Sequence, residues 1–260
     1  MNGNRTVATI ELTFPSSITL DTEVLAGFQS HNPDLYLELK DSNLIIHERE
    51  LHFSQMDFFK LHLPFKMREE ELFELDRLNN NLKLEGEEGL ILINMGTSFF
   101  IGTFTVAILG TLYIWNRKMK LGKVTDSSTG HDLEINGKKK HRIPDVSFIA
   151  FTKFAHRVLD MSSRAGSPTL CIEVVSHKKS LKQDLAKMAE DWMAGGADIG
   201  LVVCPHHQKY YVFERDRTGY NTVSFARPFT HSLLPQLELD FAALLAEAIE
   251  ETKRAGAELS

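Results

Sequence analysis

Residues 169–179 read TLCIEVVSHKK. In the first seven, Leu170, Cys171, Ile172, Val174 and Val175 surround one charge, Glu173. A short apolar run of this kind predicts a fully buried β-strand. A lone carboxylate inside it is costly unless it is paired, protonated or bound to a metal ion. Side chains two apart in a strand share a face, so Glu173 stands with Cys171 and Val175.

Working outward, SLKQDLAKMAEDWMAG (180–195) predicts an amphipathic helix with the apolar stripe Leu181, Leu185, Met188 and Trp192, ended by Gly195-Gly196. Strands follow in IGLVVCP, YYVFER and TVSFA. Upstream, IPDVSFIAF predicts a strand opening at Pro144, and HRVLDMSSRAGSP (156–168) a loop. LGKVTDS and HDLEI predict two more strands, with NGKKK as a turn. LELDFAALLAEAIEETKRAGAELS (237–260) predicts a terminal helix. The sum is an α/β fold, a mixed β-sheet flanked by helices.

A chain of 260 residues suits one large domain, or a smaller one with an extension. With 43% hydrophobic and 25% charged residues it can build a core. The net charge of −6 excludes a histone-like polycation, so nucleic-acid contact requires a local basic patch. Cys171 and Cys204 form no CxxC pair, which argues against a zinc ribbon or a secreted disulfide scaffold. The polar N-terminus MNGNRTVATIELTF has no signal-peptide core. An intracellular, reducing compartment, cytoplasmic or nuclear, is expected.

From Gly89 to Asn116 there is no charged residue. The stretch is long enough for a bilayer span, with Trp115 and RKMK at one end. The preferred reading is a strand (LILIN), a turn (MGT) and one buried helix from Ser98 to Trp115, because Asn94, the threonines and the glycines dilute the hydrophobicity. No membrane partner is expected.

NPDLYLE (32–38) followed by LII echoes NNNLKLE (79–85) followed by LILI, and both predict β-hairpins. The helix-like REEELFELDRL precedes the second. A local duplication is inferred. It divides the chain into an N-terminal extension with a β-hairpin (1–66) and a main domain (67–260).

Asp145, in PDVSF, shares a face with Ser147. If its strand neighbours that of Glu173, two carboxylates meet, and both stay ionised only with a cation between them. Oxygen donors select Mg²⁺ or Mn²⁺. Lys187 lies roughly 120° from the apolar stripe of its helix, on the flank from which it can lean towards the acids. There it can position a nucleophile or stabilise charge on phosphorus. Lys178, Lys179 and Lys182 follow Glu173, and Lys140 and Arg142 precede Asp145, which suits a phosphate backbone as substrate. Other readings stay open. Asp145 can cap a turn, Glu173 can pair with a buried Lys or Arg, and Lys187 can pair with Asp184 or Asp191.

The run LKLEGEEGLILINM, LYIWNRKMKLGKVTDSSTG, PDVSFIAF, IEVVS and LAKMAEDWMAGGADIGLVVCP resembles the Uma-type endonuclease family of the PD-(D/E)XK restriction-endonuclease-like superfamily, over about residues 67–245. The resemblance implies a restriction-endonuclease-like core and divalent-metal-dependent cleavage of DNA phosphodiesters. It implies Asp145 and Glu173 as metal ligands and Lys187 as a catalytic lysine displaced onto the following helix. DNA is the expected partner, with a homodimer as one possible assembly. Val175 stands where the wider superfamily keeps its lysine, Cys204 where the branch often has an aspartate, and residues 89–116 carry no helix acid. The alternative is therefore a catalytically degenerate module that binds nucleic acid or protein without cleavage.

Overall fold

The computed structural model describes residues 9–47, 58–79, 82–95, 97–154 and 165–258. It divides into two compact units. The first takes in residues up to Gly96 together with Lys138–Lys140, and the second holds Thr97–Gly137 and the chain from His141 onward. Of the loop expected at 156–168, residues 156–164 lie outside the described residues.

The first unit repeats one motif. β1 (Thr9–Thr13), α1 (Thr22–His31), β2 (Tyr36–Lys40) and β3 (Asn43–His47) are followed by β4 (Phe58–His62), α2 (Glu69–Leu78), β5 (Lys83–Glu87) and β6 (Leu90–Asn94). The starts of α1 and α2 (22 and 69), β2 and β5 (36 and 83), and β3 and β6 (43 and 90) each differ by 47. The strand orders, β1-β3-β2 and β4-β6-β5, are the same, with Lys138–Lys140 beside β5. The first hairpin turns at Asp41 and Ser42, both at positive φ, and the second at Gly89, as two-residue hairpin loops require. The hairpins expected from the sequence are present, and the helix and outer strand before the first are additions to that reading.

The two copies share one apolar core, which includes Leu12, Phe28, Leu44 and Ile46 from the first and Phe59, Leu61, Leu84, Ile91 and Ile93 from the second. They also brace each other through asparagines at matching positions. Asn32, capping α1, donates to the carbonyl of His62 and accepts from its N–H, at 2.7 and 2.8 Å. Asn79, capping α2, makes the same two bonds to Thr13, at 2.8 and 2.9 Å.

The second unit begins with α3 (Phe99–Met119), capped by Ser98. β7 (Gly122–Asp126), β8 (His131–Ile135) and β9 (Lys138–Arg142) follow, the last ending in this unit at His141–Arg142. β9 occupies what reads as a turn in the sequence; the turn itself is confined to Asn136 and Gly137, both at positive φ. Then come β10 (Val146–Ala150), β11 (Leu170–Val174), α4 (Leu181–Lys187), a π turn over Met188–Met193, β12 (Ile199–Cys204), β13 (Lys209–Glu214), β14 (Asn221–Ser224), β15 (Phe229–His231), β16 (Leu234–Leu239) and α5 (Phe241–Glu258).

Six strands form a mixed sheet in the order β14-β13-β12-β11-β10-β7. Only β11 and β12 are parallel, and α4 with the π turn supplies the crossover such a pair needs. Alternation assigns each strand's residues to one face or the other. Val146, Phe148, Leu170, Ile172, Val174, Leu201 and Val203 pack against Phe104, Ile108 and Leu112 of α3 and Phe241 and Leu245 of α5. The uncharged stretch is thus a strand plus a core helix, whose Trp115 N–H donates to the Pro235 carbonyl at 2.9 Å. Although α3 is long and apolar enough to cross a membrane, its inward face is part of this core. The opposite face of the sheet, with Cys171, Val175, Val202 and Cys204, lies under Met188 and Trp192. Gly200 permits that approach, since a Cβ there would overlap the Met188 and Met193 side chains.

Candidate active site

β10 and β11 pair antiparallel with Val146 opposite Ile172 and Ser147 opposite Cys171. Continued by one residue, that register sets Asp145 across from Glu173, and directly opposed residues project from the same face. Both belong to the face that carries Ser147 and Cys171 rather than the α3 core. Asp145 also closes the end of the ladder, its Oδ2 accepting the Val174 N–H at 2.7 Å. It is half-buried, whereas Glu173 is only 8% exposed.

Lys187 sits at the last residue of α4 and is 7% exposed. Its ammonium lies 3.1 Å from Glu173 Oε1. The same oxygen accepts the Trp192 indole N–H at 2.7 Å. Glu173 therefore has the buried base that the sequence left open as its partner, and that base is the lysine singled out for chemistry. A carboxylate this deeply buried keeps its charge only while paired, and Lys187 and Trp192 supply that pairing on one oxygen.

Asp191, in the π turn, pairs with Arg142 of β9 at 2.7 Å, and both are buried. The Arg142 guanidinium also donates to the His141 carbonyl at 2.9 Å, so it faces inward and ties β9 to the π turn. Lys140 ion-pairs with Glu87 at 2.8 Å in the first unit. Lys178, Lys179 and Lys182 are exposed where the chain leaves β11 and enters α4, the end of the strand that carries Glu173. Asp184 is held inside by the Ser180 hydroxyl at 3.1 Å.

A second polar chain runs beneath the carboxylates and was not read from the sequence. His131 is fully buried. Its Nδ1 lies 2.7 Å from the Gly166 carbonyl, which can only accept, so Nδ1 carries the proton. Nε2 then accepts from the Ser147 hydroxyl at 3.1 Å, and Thr125 lies 2.6 Å from Ser147. Burial pushes the His131 pKa down to about 4, so the ring is neutral at ordinary pH. It packs edge-to-face with the Trp192 ring, at 5.4 Å between centroids and 83° between planes. Burial likewise pushes the Cys204 thiol up, which leaves it a poor nucleophile.

Comparison with known proteins bears on this geometry. The family described as "Uma2: Putative restriction endonuclease" matches residues 69–246, about two thirds of the chain. The chain belongs to the Uma2 family. The matched span holds α2, β5 and β6 of the second motif copy and the whole six-stranded sheet, and it starts after β4 and the first copy have ended. No curated protein matches. A solved structure described as "a putative nuclease belonging to DUF820 from Anabaena variabilis ATCC 29413" superposes with a TM-score of 0.51 at 12% identity, covering 64% of this chain and 90% of that one. At that identity the likeness is one of fold, and the fold is restriction-endonuclease-like. Membership of Uma2 places the chain in a nuclease family, that is, among hydrolases acting on nucleic acid.

Nucleases of this fold generally use divalent metal ions. Among the described residues no cluster of three or more His, Cys, Asp or Glu forms a ready-made metal site. The opposed pair Asp145 and Glu173 nevertheless fits a magnesium-type ion, which is commonly held by one or two carboxylates with water and substrate phosphate completing its octahedron.

Proposed function

We propose that this Uma2 protein is a Mg²⁺- or Mn²⁺-dependent endonuclease that hydrolyses DNA phosphodiester bonds. The observation that carries the reading is the adjacency of Asp145 and Glu173 across β10 and β11, with the Lys187 ammonium 3.1 Å from Glu173. A charged cluster of this size is retained inside a sheet where apolar residues would be at least as stable, which points to use rather than support. Asp145 and Glu173 would hold the ion, and a divalent cation so held supplies charge stabilisation to the phosphate and acidity to water. Lys187 would stabilise negative charge building on phosphorus, or hold the attacking water at hydrogen-bonding distance. Lys178, Lys179 and Lys182 would engage the backbone, an electrostatic contact independent of sequence.

DNA as the substrate, an intracellular location and a homodimer as one possible assembly belong to the same proposal. The division into a 1–66 extension and a 67–260 nuclease domain belongs to it too, on the start of the family match at residue 69, although the compact unit that holds both motif copies runs on to Gly96. The rival reading, a binding module without cleavage, is favoured by the absence, among the described residues, of a group of three or more His, Cys, Asp or Glu that could hold a metal ion. Incubating supercoiled plasmid with Mg²⁺ or Mn²⁺ decides between them. The wild type is expected to nick and Glu173→Ala to be inactive, while equal nicking by both would remove Glu173 from the chemistry.

A further inference from the structure

Lys187 and Trp192 reach the same atom, Glu173 Oε1, although they are five residues apart. In an α-helix five residues turn through roughly 500°, which leaves their side chains about 140° apart. They could not both meet one carboxylate oxygen. Here the segment immediately after Lys187 is a π turn, Met188–Met193. Its i→i+5 hydrogen bonding continues to Ala194, whose N–H donates to the Ala189 carbonyl at 3.3 Å, and the chain then leaves through a Schellman cap at Gly196. That wider turn brings residues five apart towards one face.

An indole has one donor and no acceptor. Trp192 is fully buried and gives that donor to an ionisable acceptor, a stronger bond than a neutral pair makes. Its ring packs edge-to-face with that of His131, which is itself fixed by Gly166 and Ser147. The indole therefore cannot rotate away without breaking a fully packed layer.

We propose that Trp192 is a positioning residue for the Glu173 carboxylate, and that the π turn exists to bring the Trp192 and Lys187 donors to one of its oxygens. The carboxylate is then oriented towards a divalent cation before the cation arrives. This rests on the metal-binding reading of Glu173 given above, and it adds a residue to which that reading assigned no role. Donors that orient metal ligands typically change affinity by roughly 10–100-fold when removed.

The test uses the full chain. Calorimetric titration with Mn²⁺ compares the wild type, Asp145→Ala and Trp192→Phe, which keeps an aromatic ring and loses the N–H. In parallel, ¹⁵N-indole NMR follows the two tryptophan N–H signals during Mg²⁺ addition, with Trp192→Phe identifying the one that disappears. One Mn²⁺ site in the wild type is expected, lost in Asp145→Ala and weakened about tenfold in Trp192→Phe. Mg²⁺ should move the Trp192 indole signal and leave that of Trp115 in place. Wild-type Mn²⁺ binding with unchanged affinity in Trp192→Phe would overturn the positioning role and leave the metal reading standing. An absence of any Mn²⁺ site dependent on Asp145 would remove both. Should Trp192→Phe fail to fold, the two wild-type indole signals are assigned from their NOEs to neighbouring side chains, and a Trp192 signal that ignores Mg²⁺ overturns the proposal.

Discussion

The two units bury polar groups in different ways. In the first, Asn32 and Asn79 are neutral amides satisfied by backbone groups of the opposite motif copy, and the buried carboxylate Glu85 accepts from another amide, Asn94, at 2.9 Å. In the second, Glu173, Lys187, Asp191, Arg142 and Asp184 are all nearly inaccessible, and they lie on α4, the π turn and the strands they approach. A buried amide with good partners fixes one arrangement at modest energetic risk. Buried ions are no better than apolar residues for stability. The amide brackets thus define an architecture, while stability alone gives no reason for the ionic cluster.

The sharpest way to break that contrast is to make the cluster apolar. Glu173→Ala alone leaves the Lys187 ammonium without its carboxylate and is expected to lower stability by about 3–5 kcal/mol. Glu173→Met combined with Lys187→Met is expected to recover that loss while cleavage stays absent. Urea denaturation and plasmid nicking measured on the same preparations check it. Retained cleavage in the double variant would mean that the cluster is structural after all.

A comparable effect is expected from pH. His131 has a folded pKa of about 4 against an ordinary value of 6.5. Below 6.5 the unfolded chain binds the proton and the folded chain does not. The contribution is therefore whole above pH 6.5 and is lost as the pH falls towards 4, amounting to about 3 kcal/mol. Stability of the wild type should fall more steeply over this window than that of His131→Gln, as read from urea midpoints against pH. Parallel slopes would show that the ring is not held neutral.

The smallest effect is expected at the amide brackets. Asn79→Ala leaves the Thr13 N–H and carbonyl without their side-chain partner and should cost about 1–3 kcal/mol. Asn32→Ala should cost a similar amount, because its two bonds to His62 are the same bonds in the other copy. Thermal or urea denaturation of both variants measures the equivalence. Neither variant touches the carboxylate cluster, so metal affinity should be unchanged in both.

Several of these features were legible in the residues. Period-two alternation assigned Glu173 and Asp145 to the faces they occupy, and both hairpins announced themselves through turn residues and alternating strands. Ser98 marked the start of α3, and the apolar run after it marked a core helix. Other features were not legible. α1 has a weakly amphipathic sequence with only Phe28 fully buried, so its pattern does not stand out. β9 is Lys138–Arg142, five basic residues in a row, a composition that argues for a solvated turn. Arg142 is consequently a guanidinium folded inward onto Asp191, and nothing local signals that. Trp192 read as one more member of an apolar stripe, since periodicity weighs its ring and not its N–H.

By itself, the sequence determined which strand would carry a carboxylate into the core, which face it would take, and that a hairpin motif occurs twice. Those properties are local, set by alternation, turn chemistry and spacing. Only the tertiary structure decided the partners, because Trp192 meets Glu173 across 19 residues and Arg142 meets Asp191 across 49. Such meetings depend on the register between strands and on the phase of the helix that crosses them. The π turn changes that phase by a fraction of a turn, and no single residue's propensity encodes it.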